Sequence, residues 1–267
     1  LDCTLWLIAR SLGGYEVLPG AIEVLTVLRQ RSVPFVVLTN GSAYPPARQA
    51  ARLRGIGLPV DDEQMLTPSS VTAAHMQRHR IRRSLVLGTH GVGQALSDAG
   101  IETVFTGDAR ASEVDAVYVG WHPECGMKDI ETACHAVWSG AKLYVASDVP
   151  FFATRQGRAL GYSHAIIGAI QRVTKVRPIL TGKPSLHALR FAARRLGLSP
   201  RDIGVVGDDP AVEVEMARRG GATAFGVTTG VTSAEEWARQ SGVRRPHYVL
   251  ERVSDLLTPD IGLGPAR

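Results

Sequence analysis

The chain alternates short, strongly apolar runs with longer stretches in which apolar residues recur every three or four positions. The runs are apolar at almost every position, which is typical of strands buried on both faces of a sheet. Alternation of such strands with amphipathic helices predicts a parallel α/β fold. The predicted strands cover residues 35–38, 84–88, 116–120, 142–146, 203–206 and 223–227.

The amphipathic stretches predict helices with recognisable ends. Ile22, Leu25 and Leu28 share one face of the first helix. The most regular helix is expected between Ser185, a residue suited to cap a helix start, and Gly197, a residue suited to end one. Further helices are predicted over residues 46–54, 128–139 and 211–219, and each is followed by glycine.

Composition narrows the functional classes. The chain has 267 residues, 45% of them hydrophobic, which suits one large domain or two modest ones. Its net charge of +5 is spread along the chain. The densest basic run, residues 78–83, is interpreted as the solvated end of a helix, so no nucleic-acid partner is expected. The three cysteines lack disulfide or metal-binding spacing, and no apolar run approaches the roughly 18 residues of a membrane span, so a cytoplasmic location is expected.

Polar residues stand where the predicted strands end. In a parallel sheet the carboxyl ends of the strands meet at one edge, and ligands bind there. Thr39 and Asp208 each follow a predicted strand, and Lys183 precedes a predicted helix. Asp2 would follow a strand that we expect upstream of Leu1. Carboxylates, a hydroxyl and an ammonium gathered at one edge suit a phosphate ester and Mg²⁺.

Four short motifs accompany these residues along the chain. They are Leu18-Pro19-Gly20-Ala21, Val37-Leu38-Thr39-Asn40, Gly182-Lys183-Pro184 and Val206-Gly207-Asp208. In this order and at this spacing the chain resembles the haloacid dehalogenase-like (HAD) phosphatases, and more narrowly their NagD-like type IIA branch. The resemblance covers nearly the whole chain. It implies a Rossmann-like parallel-sheet HAD core, residues 1–75 and 180–267, with an inserted α/β (C2-type) cap domain, residues 76–179.

The resemblance implies roles for the residues that follow the first two strands. The family's first motif carries two aspartates; the first attacks phosphorus to form an aspartyl-phosphate, and the second protonates the leaving group and later activates water. Asp2 matches the second aspartate, and the nucleophile is expected immediately before Leu1. Thr39 matches the hydroxyl that binds the phosphoryl oxygens, with the backbone N–H groups of Asn40 and Gly41 beside it.

The resemblance also implies a magnesium site. Lys183 matches the lysine that binds the phosphoryl group and neutralises its charge together with that of the nucleophile, so it is expected to be both catalytic and phosphate-binding. Asp208 matches the carboxylate that binds Mg²⁺ directly, and Asp2 contributes its carbonyl to the same ion. Glu213 stands where the family usually has aspartate. Together with Asp209 it is expected to give a weaker or differently arranged metal site.

Two departures from the family bear on the substrate. Cys3 occupies a glycine position beside Asp2. In the expected cap, Gly120-Trp121-His122 replaces a Gly-x-Asp pattern, so Trp121 and His122 are candidate substrate contacts, with a packed indole and a surface imidazole as the alternative interpretation. The resemblance implies a small phosphorylated metabolite as substrate, since a cap limits access. It leaves open a homodimer formed through the cap.

The motifs and the resemblance are compatible with two functions. The first is a Mg²⁺-dependent phosphatase that works through an aspartyl-phosphate. The alternative is a catalytically degenerate HAD-fold protein that binds or interacts without turnover. Cys3 and Glu213 favour the alternative, whereas the intact Thr39, Lys183 and Asp208 favour catalysis.

Overall fold

The computed structural model of this chain describes residues 5–8, 15–154, 157–258 and 261. Asp2 and Cys3 lie outside the described residues. The strands form parallel sheets and two antiparallel hairpins. They are β1 (Trp6–Ile8), β2 (Tyr15–Val17), β3 (Val37–Leu38), β4 (Met65–Leu66), β5 (Arg83–Leu87), β6 (Glu102–Val104), β7 (Ala116–Val119), β8 (Lys142–Val145), β9 (Phe151–Thr154), β10 (Gly157–Leu160), β11 (Ile179–Leu180), β12 (Gly204–Gly207), β13 (Thr223–Val227) and β14 (Tyr248–Leu250).

Helices connect most of the parallel strands. They are α1 (Ala21–Gln30), α2 (Pro46–Gly55), α3 (Pro68–Arg78), α4 (His90–Asp98), α5 (Met127–Trp138), α6 (Tyr162–Thr174), α7 (Leu186–Leu196), α8 (Glu215–Gly220) and α9 (Ala234–Ala238). The predicted ends of α7 are confirmed: Ser185 Oγ accepts the His187 N–H at 3.1 Å, and Gly197 ends the helix in the left-handed conformation. Within the part of the chain that the structure describes, no helix combines the length and apolar character needed to cross a bilayer.

Two predicted elements differ from the observed ones. The predicted strand 35–38 is paired only at Val37–Leu38, and all four of its residues line a cavity. The predicted helix 211–219 is divided into a π-helical turn, Pro210–Val214, and α8. This wider turn presents the Glu213 carboxylate to the Lys183 ammonium, and π-turns of this kind are frequent at functional sites.

The larger parallel sheet has five strands in the order β11-β8-β7-β5-β6. Helices α5 and α6 cover one face, where their apolar side chains pack on Leu85, Val117 and Leu143. Helices α3 and α4 cover the other face, where they pack on Val86 and Tyr118. Both faces are therefore buried, as the continuous apolar runs predict. The boundaries of the expected cap at residues 76 and 179 stay a prediction.

The remaining parallel strands form two smaller groups. Strand β3 pairs with β4, and β12 pairs with β13, which pairs with β14. Among the described residues no ladder joins the two groups, and a cavity of about 590 Å³ lies between them. Residues 33–38 and 203–206 line this cavity, and Lys183 and Glu213 belong to its lining as well. The cavity thus runs between two strand edges and reaches the residues predicted to do chemistry.

One buried histidine makes the stability of the fold depend on pH. His75, on α3, is 7% exposed; its Nδ1 lies 3.2 Å from the Tyr144 hydroxyl, and its ring packs against those of His79 and His187. Burial lowers the pKa of His75 from 6.5 to about 4, and the positive charges that His187 and His79 can acquire lower it in the same direction. The folded protein therefore holds this imidazole neutral.

Acidification should destabilise the protein through this group. Between pH 6.5 and about 4 the unfolded chain binds a proton at His75 that the folded chain does not. The free energy of unfolding should therefore fall as the pH drops through that window, by up to about 3 kcal/mol from this residue, and level off below it. Urea unfolding of His75→Gln at several pH values should show a shallower fall. His135→Gln, at an exposed histidine of α5, serves as the control, and equal pH profiles for both variants would contradict the assignment.

Candidate active site

The loop after β3 holds a buried hydroxyl. Thr39 is 1% exposed, and its Oγ1 accepts the Gly41 N–H at 2.9 Å. The chain therefore folds back over the threonine directly after the strand. The N–H of Gly41, which the resemblance assigns to phosphate binding, is directed to Thr39 in this arrangement.

Asn40 fixes the position of the loop that carries Lys183. Its Oδ1 accepts the Lys183 N–H at 2.7 Å, and its Nδ2 donates to the Lys183 carbonyl at 3.0 Å. One side chain thus satisfies both backbone groups of the lysine. Gly182 packs so tightly that a Cβ there would lie 2.6 Å from Asn40 Oδ1. The side chain of Asn40 is therefore a positioning group, a role that the sequence analysis missed because it considered only the Asn40 backbone.

A buried ion pair lies next to this loop. Lys183 Nζ and Glu213 Oε1 are 2.5 Å apart, and the two side chains are only 5% and 6% exposed. Burial alone would raise the pKa of the Glu213 carboxyl, but nearby positive charge, chiefly that of the Lys183 ammonium, holds the pKa below its usual value. Glu213 Oε2 is buried and has no hydrogen-bond partner among the described residues. One carboxylate oxygen is therefore paired and the other is available to a ligand.

Asp208 is the second buried carboxylate. It is 3% exposed and follows β12, and its Oδ2 accepts the Val231 N–H at 3.0 Å. Burial, reinforced by the negative charge of Glu213, raises the pKa of the Asp208 carboxyl to about 7. Gly207 allows the two acids to approach, because a Cβ at Gly207 would lie 2.2 Å from the Cβ of Glu213. The site therefore concentrates negative charge that a cation would stabilise.

Asp209 is engaged differently from its neighbour. Its Oδ1 accepts the Ala211 N–H at 2.7 Å and so caps the π-helical turn. It is half-buried, and burial raises its pKa. Among the described residues, no set of ligand atoms from Asp208, Asp209 and Glu213 has all three atoms within 4.8 Å of one another. The metal-binding role expected for Asp209 stays a prediction.

The donors present nevertheless fit a hard divalent cation. Mg²⁺ prefers oxygen ligands and is usually held by one or two carboxylates together with water and substrate phosphate. Asp208 supplies one buried carboxylate, and the unpartnered Oε2 of Glu213 supplies an oxygen close enough to influence the Asp208 pKa. The burial of two acids beside one lysine leaves net negative charge, which is costly without a counter-charge. Asp2, the third predicted ligand, lies outside the described residues.

Substitution of Gly230 should disturb Asp208 without a change in any polar group. A Cβ at Gly230 would lie 2.2 to 2.4 Å from three atoms of the Asp208 side chain. Gly230→Ala should therefore displace the carboxylate, lower catalytic turnover at least about 100-fold, and cost about 1–3 kcal/mol of stability from overpacking. Steady-state kinetics over a Mg²⁺ series would measure the effect. Gly168→Ala, within α6, has no atom in reach of the new Cβ and should keep full turnover.

The candidate substrate contacts Trp121 and His122 follow β7. The backbone N–H of Trp121 donates to Ser42 Oγ at 3.0 Å, which brings this loop against the one that carries Thr39. The Trp121 indole packs edge-on against Tyr162, with ring centroids 4.5 Å apart. His122 instead faces Asp129, at 3.7 Å. Ser42 was missed in the sequence, although it follows the same strand as Thr39.

Comparison with known proteins agrees with this arrangement. Residues 1–102 match the family described as haloacid dehalogenase-like hydrolase, and residues 180–256 match the family described as HAD-hydrolase-like. A curated relative, 5'-nucleotidase YutF of Bacillus subtilis, is 26% identical over 91% of this chain and 91% of its own length. Both family matches contain candidate active-site residues.

Solved structures share the fold. Glycerol phosphate phosphatase of Mycobacterium tuberculosis in complex with magnesium superposes with a TM-score of 0.79 and 27% identity, over 93% of this chain and 72% of that one. NagD of Escherichia coli K-12 superposes with a TM-score of 0.83 and 21% identity, over 96% of this chain and 95% of that one. The chain belongs to the haloacid dehalogenase-like superfamily, as a NagD-like phosphatase with a HAD core and an α/β cap, and the predicted fold class is confirmed. It is a phosphoric monoester hydrolase.

Proposed function

We propose that the chain hydrolyses a small phosphate monoester with Mg²⁺ and through an aspartyl-phosphate intermediate. The observation that carries this proposal is the buried group of Lys183, Glu213 and Asp208, with the hydroxyl of Thr39 at a neighbouring strand end. A buried lysine and two buried acids cost free energy unless a ligand uses them. A phosphoryl group and a divalent cation supply the complementary charges.

The residues take distinct parts in this reaction. An aspartate immediately before Leu1 would attack phosphorus, and Asp2 would give a proton to the departing oxygen and later take one from water. Lys183 and Thr39 would bind the phosphoryl oxygens, with the Asn40 and Gly41 amides beside them. Asp208 and Glu213, with Asp2 and Asp209, would hold Mg²⁺, which when bound neutralises charge on the phosphoryl group.

The cavity beside the site supports the position proposed for the nucleophile. It separates the edges of β3 and β12, and its lining is apolar apart from a few residues that include Lys183 and Glu213. A parallel apolar strand placed between these edges would satisfy both ladders. Its carboxyl end would then lie between Thr39 and Asp208, where the reaction needs the nucleophile. Residues 1–75 and 180–267 would form this core, and residues 76–179 the cap.

The substrate class rests on the relatives and on the cap. The relatives described above are named as a nucleotidase and a glycerol phosphate phosphatase, so their substrates are small and phosphorylated. We include a nucleoside monophosphate and a glycerol phosphate, after these two relatives, as the first candidates for this chain. A sugar phosphate is the third candidate, after the sugar-phosphatase AraL of Bacillus subtilis, which is 27% identical over 91% of this chain and 87% of its own length. Trp121 and His122 are proposed to contact the organic part of the substrate, and homodimerisation through the cap stays a prediction.

The proposal is tested with the full natural polypeptide. Release of inorganic phosphate from p-nitrophenyl phosphate and from the three candidate classes is measured with Mg²⁺ and with a chelator. Turnover that requires Mg²⁺, together with acid-stable labelling of the protein by radioactive phosphate during turnover, is the expected result. Mg²⁺-dependent binding of phosphate without turnover would instead support the degenerate binding protein. A natural sequence with no aspartate directly before Leu1 would overturn the catalytic proposal.

A further inference from the structure

A second group of side chains that could ligate a metal lies in the expected cap, and it shares His122 with the candidate substrate contacts. His122, Cys125 and Asp129 each offer one ligand atom, and these atoms all lie within 4.8 Å of one another. All three residues are half-buried. Among the residues that the structure describes, no other three of the types His, Cys, Asp and Glu meet this closely. The proposed phosphatase reaction uses neither Cys125 nor Asp129.

Two of the three ligand atoms are spaced like ligands around one ion. His122 Nε2 and Asp129 Oδ2 are 3.7 Å apart, which is too long for a hydrogen bond. Two ligands of a tetrahedral zinc ion, each about 2.0–2.3 Å from the metal, lie roughly 3.3–3.8 Å apart. The histidine and the aspartate therefore already stand at the separation that one shared ion requires.

The backbone holds the three residues in place. The Cys125 N–H lies 3.3 Å from the His122 carbonyl, so the loop makes one turn between these two residues. Asp129 stands in the first turn of α5, where its Oδ2 accepts the Gly126 N–H at 2.8 Å. The carboxylate also accepts a hydrogen bond from the Thr106 side chain. A carboxylate has about four acceptor positions, so these two bonds leave capacity for a metal. The loop after β7 and the start of α5 thus form a prearranged group with the spacing His-x₂-Cys-x₃-Asp. This grouping departs from the expectation, stated from the sequence, that the cysteines lack metal-binding spacing.

The donor atoms select the kind of ion. One imidazole nitrogen, one sulfur and one carboxylate oxygen suit Zn²⁺, whereas Mg²⁺ takes oxygen ligands. Three protein ligands leave the fourth tetrahedral position to water or to an oxygen of a ligand. We propose that His122, Cys125 and Asp129 form a Zn²⁺ site in the cap, separate from the Mg²⁺ site of the core. The neighbouring Trp121 N–H is bonded to Ser42, which places the zinc site at the edge of the substrate cleft.

Metal retention tests the proposal independently of phosphatase activity. The full-length protein is stripped with a chelator, incubated with Zn²⁺ in excess Mg²⁺, desalted and analysed for metal per chain. One zinc is expected in the wild type and in Asp208→Asn, which removes a predicted ligand of the core site. Cys125→Ser and His122→Gln should each lower the zinc affinity by more than about 100-fold. Loss of a residue that only supports a ligand costs roughly 10- to 100-fold, so a larger loss marks a direct ligand.

Cobalt substitution identifies the sulfur ligand. With Co²⁺ in place of zinc, a thiolate-to-cobalt charge-transfer band is expected in the wild type and in Cys134→Ala, which removes a buried thiol of α5 outside the group. The band should be absent in Cys125→Ser, and circular dichroism checks that each variant is folded. A wild-type protein that retains no zinc would overturn the proposal. So would a Cys125→Ser variant with an unchanged zinc content and an unchanged cobalt charge-transfer band.

Discussion

Lys183→Met should lower the free energy of unfolding by about 3–5 kcal/mol and abolish turnover. The lysine is 4% exposed and lies 2.5 Å from Glu213, which is equally buried, so its removal leaves a carboxylate charge without a counter-charge in the interior. The loss of a buried partner costs far more than the loss of an exposed one. Urea unfolding in the absence of Mg²⁺ would measure the change.

A double-mutant cycle separates the charge effect from lost packing. Lys183→Met combined with Glu213→Gln removes both charges, so the double variant should be more stable than Lys183→Met alone. Arg239→Met, which breaks an exposed pair with Glu235, is the matched control and should leave stability unchanged. A double variant no more stable than the single one would show that the buried charge of Glu213 is not the cause.

If Asp208 binds Mg²⁺ directly, as proposed, Asp208→Asn should reduce turnover at least about 1000-fold, because a direct metal ligand stabilises the charge that develops on the phosphoryl group. The amide keeps the size of the side chain and can still accept the Val231 N–H. Burial and Glu213 both disfavour the ionised carboxylate, so the protein without metal should not lose stability. The variant therefore separates a catalytic role from a structural one.

Kinetics and metal-dependent stability together check this prediction. In the wild type, Mg²⁺ should raise the melting temperature, since a ligand that binds only the folded state stabilises it. That increase should be much smaller in Asp208→Asn. Asp202→Asn, at an exposed carboxylate just before β12, should behave as the wild type in both measurements. Wild-type turnover in Asp208→Asn would remove Asp208 from the proposed site.

The sequence predicted the parts of the site that depend on local pattern. Strands that end in Thr39 and Asp208 are recognisable because apolar runs stop at polar residues, and the carboxyl ends of parallel strands share an edge. Lys183 was recognisable from its Gly-Lys-Pro setting and the capped helix that follows. The roles of these residues, and of Asp2, stay proposals that the experiments above address.

Contacts between distant segments could not be predicted in the same way. The Asn40 side chain hydrogen-bonds the backbone of Lys183, which is 143 residues further along the chain. No local pattern predicts that an asparagine after a strand will do so. The same holds for Gly230, whose missing Cβ leaves room for Asp208. The apolar spacing of residues 211–219 predicts a regular helix, although the same spacing also suits the π-helical turn found at Pro210–Val214. Local propensity describes elements, whereas these features arise only when elements pack.

The bond between Ser42 and Trp121 has a kinetic consequence. It joins the loop after β3 to the loop after β7, and a Cβ at Gly120 would lie 3.3 Å from Ser42 Oγ, so the two loops meet with no side chain between them. Movement of the cap away from the core must break this contact and release one end of the loop that holds Thr39. Opening of the cleft and loosening of the loop proposed to bind phosphate should therefore be one event. Where that event limits turnover, kcat should fall as solvent viscosity rises, while the chemical step remains unaffected.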